Sequence, residues 1–198
     1  IVISDKLEKN TSLEPKEIIK KISDAGIVGL GGACFPTHVK LTPPADCKID
    51  SLIINAVECE PYLTHNHRLM LEKAGEVIIG IRLIMKALGI DKAYIGIESN
   101  KMDAVNTLRE TAEKLNDFVH IIEVVPLKMK YPQGSEKHLI QALTGREVKS
   151  GAIPASVGVV VQNVGTAFAV YEAVQFGKPL IDLFMTVTGK SMNEGGNF

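Results

Sequence analysis

The chain has few of the features that mark specialised protein classes. It contains no tryptophan and only 5% aromatic residues, and its 22 basic and 23 acidic side chains leave a formal charge of −1. A near-neutral charge argues against a general nucleic-acid binder, which normally carries a basic patch or stripe. No apolar run approaches the roughly 18 residues that suggest a membrane span. The opening residues IVISDKLEKN have neither the basic start nor the apolar core of a signal peptide.

Cysteine is scarce as well. The chain has three, Cys34, Cys47 and Cys59, at wide spacings and with no C-x-x-C pair. A disulfide framework or a zinc ribbon is therefore not expected, and a reduced, intracellular protein fits this usage best. A four-cysteine iron–sulfur site needs more cysteines than this chain holds.

What remains is an ordinary globular composition, with 45% hydrophobic and 23% charged residues over 198 positions. At roughly 150 residues per domain, this length predicts one full domain and a remainder. The chain starts with Ile1 rather than methionine and ends GKSMNEGGNF, so we expect a piece of a longer protein. The predicted domain covers residues 1–178, and residues 179–198 are expected to begin a following, truncated domain.

Short apolar runs alternate with amphipathic segments along the chain. The runs predict strands at residues 51–56, 93–97, 119–124 and 158–162, and a strand-like tail at 183–188. The amphipathic segments predict helices at residues 13–25, 66–88, 101–115, 135–144 and 166–176, with Ser12 and Asn100 as caps and Gly89, Gly145 and Gly177 as ends. Strands that alternate with helices indicate an α/β fold with a mostly parallel sheet between helical layers.

Residues 26–36, called the glycine loop below, contain four glycines within seven positions and cannot form a regular helix or strand. Their bare N–H groups can approach and cradle an anion. The dinucleotide fingerprint is incomplete, because the spacing runs Gly29-x-Gly31-x-x-Cys34 and the loop follows a predicted helix rather than a strand. Two interpretations stay open, a phosphate or cofactor site and a tight helix-to-loop turn. Cys34 is either a reactive thiolate or a small apolar filler.

The loop of residues 55–61 follows a predicted strand, at the end of the sheet where ligands bind in open α/β folds. Asn55 offers a donor and an acceptor to a ring edge, and the carboxylates of Glu58 and Glu60 can bind ribose hydroxyls. A solvated acidic loop is the alternative interpretation.

Two more loops and a pair of histidines are weaker candidates. Residues 131–137 and 162–166 carry glycine, hydroxyl and amide groups where helices begin, so they predict either ligand contacts or simple caps. His65 and His67 have a spacing found in metal sites. Because no third ligand accompanies them, we interpret them as exposed histidines in a loop or at a helix start, and we predict no metal site.

Taken together, these segments resemble one known family. They are Gly29-Leu-Gly-Gly-Ala-Cys-Phe-Pro-Thr-His-Val-Lys40, Leu52-Ile-Ile-Asn-Ala-Val-Glu-Cys-Glu-Pro-Tyr62, Tyr131-Pro-Gln-Gly134 and Val161-Gln-Asn-Val-Gly-Thr166. In this order they are similar to RnfC, the C subunit of the Rnf ion-translocating electron-transport complex. The same core is similar to the NADH-oxidising flavoprotein subunit of respiratory complex I. The resemblance implies a Rossmann-like domain in which NAD(H) stacks on a bound flavin mononucleotide (FMN).

The resemblance also implies a role for each matching residue. Close to the flavin and its phosphate would lie Gly29, Gly31 and Gly32, assisted by Lys40. Asn55 and Glu58 would face the flavin ring, and the site would be closed by Gly134, Asn163 and Thr166. Phe35 would stack on the nicotinamide nucleotide, and Glu60 would help to hold it. No side chain is expected to act as a catalytic acid or base.

Three positions depart from the family pattern. The complex I flavoproteins have an acidic residue where this chain has Val57, and a second where it has Ser135, which leaves Glu136 as the acidic neighbour. Cys34 stands where glycine is usual, so it adds a side chain at the tightest part of the glycine loop.

The implied function is flavin-dependent electron transfer between NAD(H) and iron–sulfur centres or ferredoxin, in an oxidoreductase complex that translocates ions. Flavin suits this task because it accepts a hydride and releases single electrons. The expected partners are the other subunits of the complex, NADH and ferredoxin, and no nucleic acid. The expected location is peripheral, on the cytoplasmic side of the cell membrane, with the fragment itself soluble and [4Fe-4S] clusters only in the missing C-terminal part. Two alternatives stay open: a non-catalytic docking scaffold, and an RnfC-like corrinoid or selenoenzyme reductase component.

Overall fold

The computed structural model describes residues 12–115 and 120–198. Its main strands are β1 (Ser51–Asn55), β2 (Lys92–Glu98), β3 (Ile121–Leu127) and β4 (Val159–Asn163). They form one parallel sheet in the order β3-β2-β1-β4, so that β1 is central and β4 lies at an edge. The predicted α/β class with a parallel sheet is confirmed.

Helices connect and cover these strands. Within the described residues they are α1 (Pro15–Asp24), α2 (Thr37–Lys40), α3 (His65–Glu72), α4 (Ala74–Leu88), α5 (Met102–Lys114), α6 (Glu136–Thr144) and α7 (Val164–Phe176), with a 3-10 turn at Pro154–Val157. The chain ends in an antiparallel hairpin of β5 (Thr186–Val187) and β6 (Gly196–Asn197). No helix in the described ranges combines the length and the apolar character needed to cross a membrane.

The sheet separates two apolar cores. Successive residues of a strand point to opposite faces, so Leu52 and Ile54 enter the larger core, with α1, α4, α5 and α7, while Ile53 enters the smaller one, with α6. Both faces of the central strand are therefore covered, which explains why β1 is an uninterrupted apolar run rather than an alternating one.

Close packing of α4 on α7 fixes the position of α7 beside the sheet. A Cβ added to Gly80 of α4 would lie only 1.9 Å from the carbonyl oxygen of Ala167, so the two helix backbones meet directly at this glycine. Because α7 follows β4 without a loop, this contact also places the N-terminus of α7 at the carboxyl end of β4.

Two helix boundaries differ from the sequence-based prediction. The predicted helix 66–88 is interrupted at Lys73, whose φ of −127° and ψ of 30° end α3 and precede α4. The apolar periodicity continues across this residue, so the pattern alone could not show the break. Ser12 does not cap α1, because Glu14 precedes the helix and forms a capping box with Glu17.

Further differences concern α5 and β3. Lys101, not Asn100, precedes α5, and the Asn100 amide contacts the Met129 sulfur instead. Strand β3 continues to Leu127, beyond the predicted end at residue 124, while Val119 lies outside the described residues.

The tail forms less strand than predicted. Of residues 183–188, Thr186–Val187 alone is a strand. The tail contacts the main body through the ring of Phe184, which packs edge-on to Phe168 at 5.5 Å, and through Leu180, whose N–H donates to the carbonyl of Ala25. A domain boundary at residue 178 remains a prediction.

Candidate functional site

A cavity of about 850 Å³ opens at the carboxyl ends of β1 and β4 and continues along the edge strand β4. Its walls come from the glycine loop, from α2 and residues 42–44, from the start of α6, and from residues 153–155. Ligand sites typically have volumes of about 300–1,000 Å³ and lie at this end of open α/β sheets. The cavity is therefore the candidate site.

The glycine loop is both a tight turn and a wall of the cavity. The Gly29 N–H donates to the Phe35 carbonyl at 2.8 Å and closes the turn. The Leu30 N–H donates to the hydroxyl of Thr166 at 2.9 Å, which ties the loop to the first turn of α7. Thr166 is fully buried and does not line the cavity, so it anchors the loop from behind.

Three residues of the glycine loop have left-handed backbone conformations, the first being Gly26 with a φ of 66°. Gly32 has a φ of 113°, and Cys34 has a φ of 50° in spite of its side chain. Gly31 has none of this strain, and a Cβ there would meet the Asn163 Cβ at an ordinary 3.6 Å. Cys34 is exposed and lines the cavity, so its interpretation as a small apolar filler is wrong.

Two asparagines join the segments around the cavity mouth. The Asn55 amide donates to the Gly134 carbonyl at 2.8 Å, and its oxygen accepts from the Val57 N–H at 3.2 Å. The Asn163 oxygen caps α7 by accepting from the Gly165 N–H at 2.8 Å, and its amide donates to the Asn55 carbonyl at 3.5 Å. Asn55 therefore holds the carboxyl end of β1 to the loop before α6, and Asn163 holds the start of α7 to the carboxyl end of β1.

A lysine supplies positive charge in the lining. The Lys40 ammonium donates to the Glu136 carboxylate at 2.9 Å and to the Val161 carbonyl at 2.8 Å. The second bond satisfies a carbonyl on the open edge of β4, where such groups otherwise lack strand partners. Lys40 thus connects α2, β4 and α6 around the cavity.

Glu58 caps a helix, a role that its sequence motif did not indicate. Its carboxylate is buried and accepts from the N–H groups of Asn66 and His67 at 2.8 and 3.2 Å, which caps α3. Lys101 donates to Glu58 at 2.9 Å and to Glu98 at 3.2 Å, so one cation joins two buried carboxylates. Glu58 is outside the cavity lining, and its position facing a flavin ring stays a prediction.

The histidine pair belongs to the same helix start. The ring of His65 lies 3.3 Å from the Thr186 hydroxyl, and the ring of His67 lies 2.9 Å from a carboxylate oxygen of Asp103. The hydrogen bond with His67 lowers the pKa of Asp103 below its ordinary value. Both histidines are half-buried rather than exposed, because they contact the terminal hairpin and α5. Within the described ranges, no group of three or more potential ligands could hold a metal ion.

The structure brings together most of the predicted site residues but not all of them. Those that line the cavity are Gly29, Gly31, Phe35, Lys40, Asn55, Gly134 and Asn163, whereas Gly32, Glu58, Glu60 and Thr166 do not. Phe35 lines the cavity and is 47% exposed.

Sequence reasoning assigned no role to several residues of the lining. Pro43, Pro44 and Ile153 belong to no motif, and folding alone brings them to the edge of β4. Gln162 did lie in a candidate loop, but nothing local distinguished it from its neighbours. It is 2% exposed, and its amide nitrogen has no hydrogen-bond partner in the described structure.

Comparison with known proteins agrees with this geometry. A fold with a parallel sheet and a glycine-lined cavity at its carboxyl edge defines a nucleotide- or flavin-binding class. The sequence profile described as the Nuo51 FMN-binding domain matches residues 22–172. The chain belongs to this family.

The relatives are more specific. The chain is 50% identical over 185 residues to the C subunit of the proton-translocating ferredoxin:NAD(+) oxidoreductase complex of Clostridium ljungdahlii, covering 93% of this chain and 39% of the relative. It is 50% identical over 180 residues to the C subunit of the Na(+)-translocating ferredoxin:NAD(+) oxidoreductase complex of Acetobacterium woodii, covering 91% of this chain and 40% of the relative. The resemblance to RnfC is confirmed, and the chain spans about two fifths of the length of these relatives.

Solved structures support the fold independently. An NAD+-reducing [NiFe]-hydrogenase in the air-oxidized state matches 86% of this chain and 32% of its own chain, with a TM-score of 0.75 and 28% identity. For the same kind of hydrogenase in the H2-reduced state, the match covers 87% of this chain and 33% of the hydrogenase chain, with a TM-score of 0.71 and 27% identity. This chain therefore shares its fold with these hydrogenase chains.

Proposed function

We propose that the cavity binds FMN and that the longer protein transfers electrons between NAD(H) and iron–sulfur centres or ferredoxin. The observation that carries this proposal is the glycine-lined cavity at the carboxyl ends of β1 and β4, in a chain of the Nuo51 FMN-binding domain family. The names of the two relatives, which are subunits of ferredoxin:NAD(+) oxidoreductase complexes, support the reaction.

The residues of the cavity fit a flavin nucleotide. Gly29, Gly31 and Gly134 expose bare backbone in the lining, so a flat ring and a phosphate can approach without meeting side chains. Lys40 places a positive charge in the same wall, next to the Glu136 carboxylate with which it pairs. The apolar side chains along β4 offer a surface for the uncharged part of the ring.

The protein's task in this function is binding and orientation. FMN when bound supplies a carrier that accepts a hydride and releases single electrons. Phe35, half-exposed in the lining, offers an aromatic face on which a nicotinamide nucleotide can stack. Glu60 is exposed and lies outside the lining, and its contact with the nucleotide ribose is part of the proposal.

The surroundings of this domain are proposed from the relatives, which are much longer. Residues 1–178 would form the FMN domain, with residues 179–198 leading into the next domain. [4Fe-4S] clusters would lie in that further part of the protein. The whole subunit would be peripheral on the cytoplasmic side of the membrane and would assemble with the other subunits of an ion-translocating complex.

The first experiment tests binding. The purified chain is mixed with FMN, separated from free flavin and precipitated with acid. We expect yellow protein that releases its flavin to the supernatant, because no covalent bond is proposed. Flavin that stays in the pellet, or a chain that never binds FMN, would contradict the proposal, and the second result would favour the docking-scaffold alternative.

The second experiment tests the electron donor on the full-length protein. Under anaerobic conditions NADH and reduced ferredoxin are each added, and the loss of flavin absorbance is followed. We expect NADH to bleach the flavin directly. Bleaching by ferredoxin alone would place the nicotinamide site outside this cavity.

A further inference from the structure

We propose that Lys101 is a positioning residue for the flavin site: it fixes the loop of residues 55–61 in the conformation in which Asn55 lines the cavity. This inference rests on the proposed function, because it assumes that the cavity binds FMN. Lys101 itself is outside the cavity lining and belongs to none of the segments that carry the family resemblance.

The first argument is a closed set of hydrogen bonds around Glu58. The Lys101 ammonium donates to the carboxylates of Glu58 at 2.9 Å and of Glu98 at 3.2 Å. The Glu98 carboxylate also accepts from the Glu58 N–H at 3.3 Å, and the Lys101 N–H donates to the Glu98 carbonyl at 3.0 Å. Lys101 therefore holds the Glu58 side chain directly, and it holds the Glu58 backbone through the last residue of β2.

The second argument is that this arrangement depends on the charge of the lysine. Glu58, Glu98 and Lys101 are all buried, so two buried carboxylates share one buried cation. In the described ranges, the other basic side chain beside Glu58 is His65, whose Nδ1 lies 3.6 Å from a carboxylate oxygen. Removing one partner of a buried ion pair leaves an uncompensated charge. Without Lys101 the carboxylates can regain solvation only by moving toward water, and Glu58 would take its loop with it.

The loop that Lys101 holds also forms part of the cavity wall. Asn55 lines the cavity at the start of this loop and donates to the Gly134 carbonyl at 2.8 Å. Val57 lies behind Gly134, because a Cβ added to this glycine would meet the Val57 side chain at 3.5 Å. A shift of Glu58 would move the residues that precede it, so both contacts with Gly134 would change. The effect of Lys101 is therefore directed at the wall of the candidate site.

A second anchor sets the size of the expected effect. The Glu58 carboxylate also accepts from the N–H groups of Asn66 and His67 at the start of α3. Because these bonds do not involve Lys101, its removal should loosen the loop without detaching it from α3. If the loop then keeps the binding conformation for about a tenth of the time, the apparent affinity for FMN falls about tenfold.

The test compares FMN binding by Lys101→Met with binding by two matched variants. Lys101→Arg keeps the cation. Leu108→Ala removes a fully buried side chain of α5 outside the cavity lining, so it lowers stability by opening a cavity in the larger core. Dissociation constants are measured by quenching of flavin fluorescence, at a temperature at which all the proteins are folded. We expect Lys101→Met to weaken FMN binding about tenfold, Lys101→Arg to recover most of this loss, and Leu108→Ala to bind as the wild type does.

Hydrogen exchange of the flavin-free proteins reports on the loop itself. The amides of residues 56–67 should exchange faster in Lys101→Met than in the wild type or in Leu108→Ala, because a loosened segment opens locally. Mass spectrometry of the corresponding peptides measures this, and no flavin is needed. If Lys101→Met does not fold, the double variant Lys101→Met, Glu98→Gln, which removes one charge of each sign, takes its place.

Each other outcome overturns a defined statement. Wild-type affinity or wild-type exchange in the folded Lys101→Met protein overturns the inference while the proposed function stands. An equal loss of affinity in Leu108→Ala shows an effect of stability alone and overturns it. So does a folded Lys101→Arg protein that binds FMN no better than Lys101→Met. A wild type that does not bind FMN overturns the proposed function and the inference with it, whatever the exchange rates show.

Discussion

Replacing Gly31 with valine should separate flavin binding from folding. The position lines the cavity, and its Cβ would have 3.6 Å to the nearest atom, which is an ordinary contact. Its φ is not left-handed, unlike that of Gly32, so a branched side chain adds no backbone strain of that kind. The two additional methyl groups of Gly31→Val have to enter the cavity, where the flavin would lie against bare backbone.

The magnitude follows from binding linkage. A ligand at about 100 times its dissociation constant stabilises the folded state by about 2.7 kcal/mol. For a domain of this size, 1 kcal/mol shifts the melting temperature by about 2–4 °C. The wild type should therefore gain about 5–11 °C with saturating FMN, whereas Gly31→Val should gain nothing. Without FMN the two proteins should differ by less than about 1 kcal/mol, because replacing a glycine also reduces the entropy of the unfolded chain.

Differential scanning fluorimetry with and without FMN measures both quantities at once. Gly196→Val is the matched control, since its Cβ also has 3.6 Å of clearance, its φ is not left-handed and it lies outside the cavity lining. The control should keep the full FMN-induced shift. A folded Gly31→Val protein with the wild-type shift would show that the glycine loop does not contact the flavin.

Three further predictions concern other parts of the molecule. Lys101→Met should lower the free energy of unfolding by about 3–5 kcal/mol, because it leaves buried carboxylates without their cation. Urea denaturation measures this loss. If the double variant Lys101→Met, Glu98→Gln does not recover part of the lost stability, the ion-pair explanation is contradicted. Phe35→Ala should weaken NADH binding about fivefold to tenfold and leave flavin content unchanged, since a half-exposed stacking ring is removed. NADH kinetics measure this effect, and unchanged kinetics would place the nicotinamide site elsewhere. The His67 contact lowers the pKa of Asp103, so this carboxylate stabilises the fold above the ordinary aspartate pKa of about 3.9 and loses that effect as the pH falls through the lowered pKa. Denaturation of wild type and Asp103→Asn should therefore show a stability difference near neutral pH that shrinks toward about pH 2, and a pH-independent difference would refute it.

The sequence by itself determined the elements of the fold and the place of the site. Buried parallel strands favour continuous apolar runs, and the run at residues 51–55 forms β1 as predicted. Helix ends are also local: Gly89, Gly145 and Gly177 all have left-handed φ, which glycine adopts without strain. Parallel strands bring their carboxyl ends to one edge, so the sequence predicted that the loops after β1 and β4 lie at that edge. That the two strands are neighbours was decided by the tertiary structure.

The tertiary structure alone decided what each polar group at that edge does. The Leu30 N–H meets the hydroxyl of Thr166 across 136 positions of sequence, and Lys101 reaches Glu58 across 43. These hydrogen bonds anchor the glycine loop to α7 and hold the carboxylate that caps α3. The unpaired amide of Gln162 likewise became visible only when its surroundings were known. A hydrogen bond needs its two groups within about 3 Å of each other, and when distant segments supply them no local pattern of residues records the pairing.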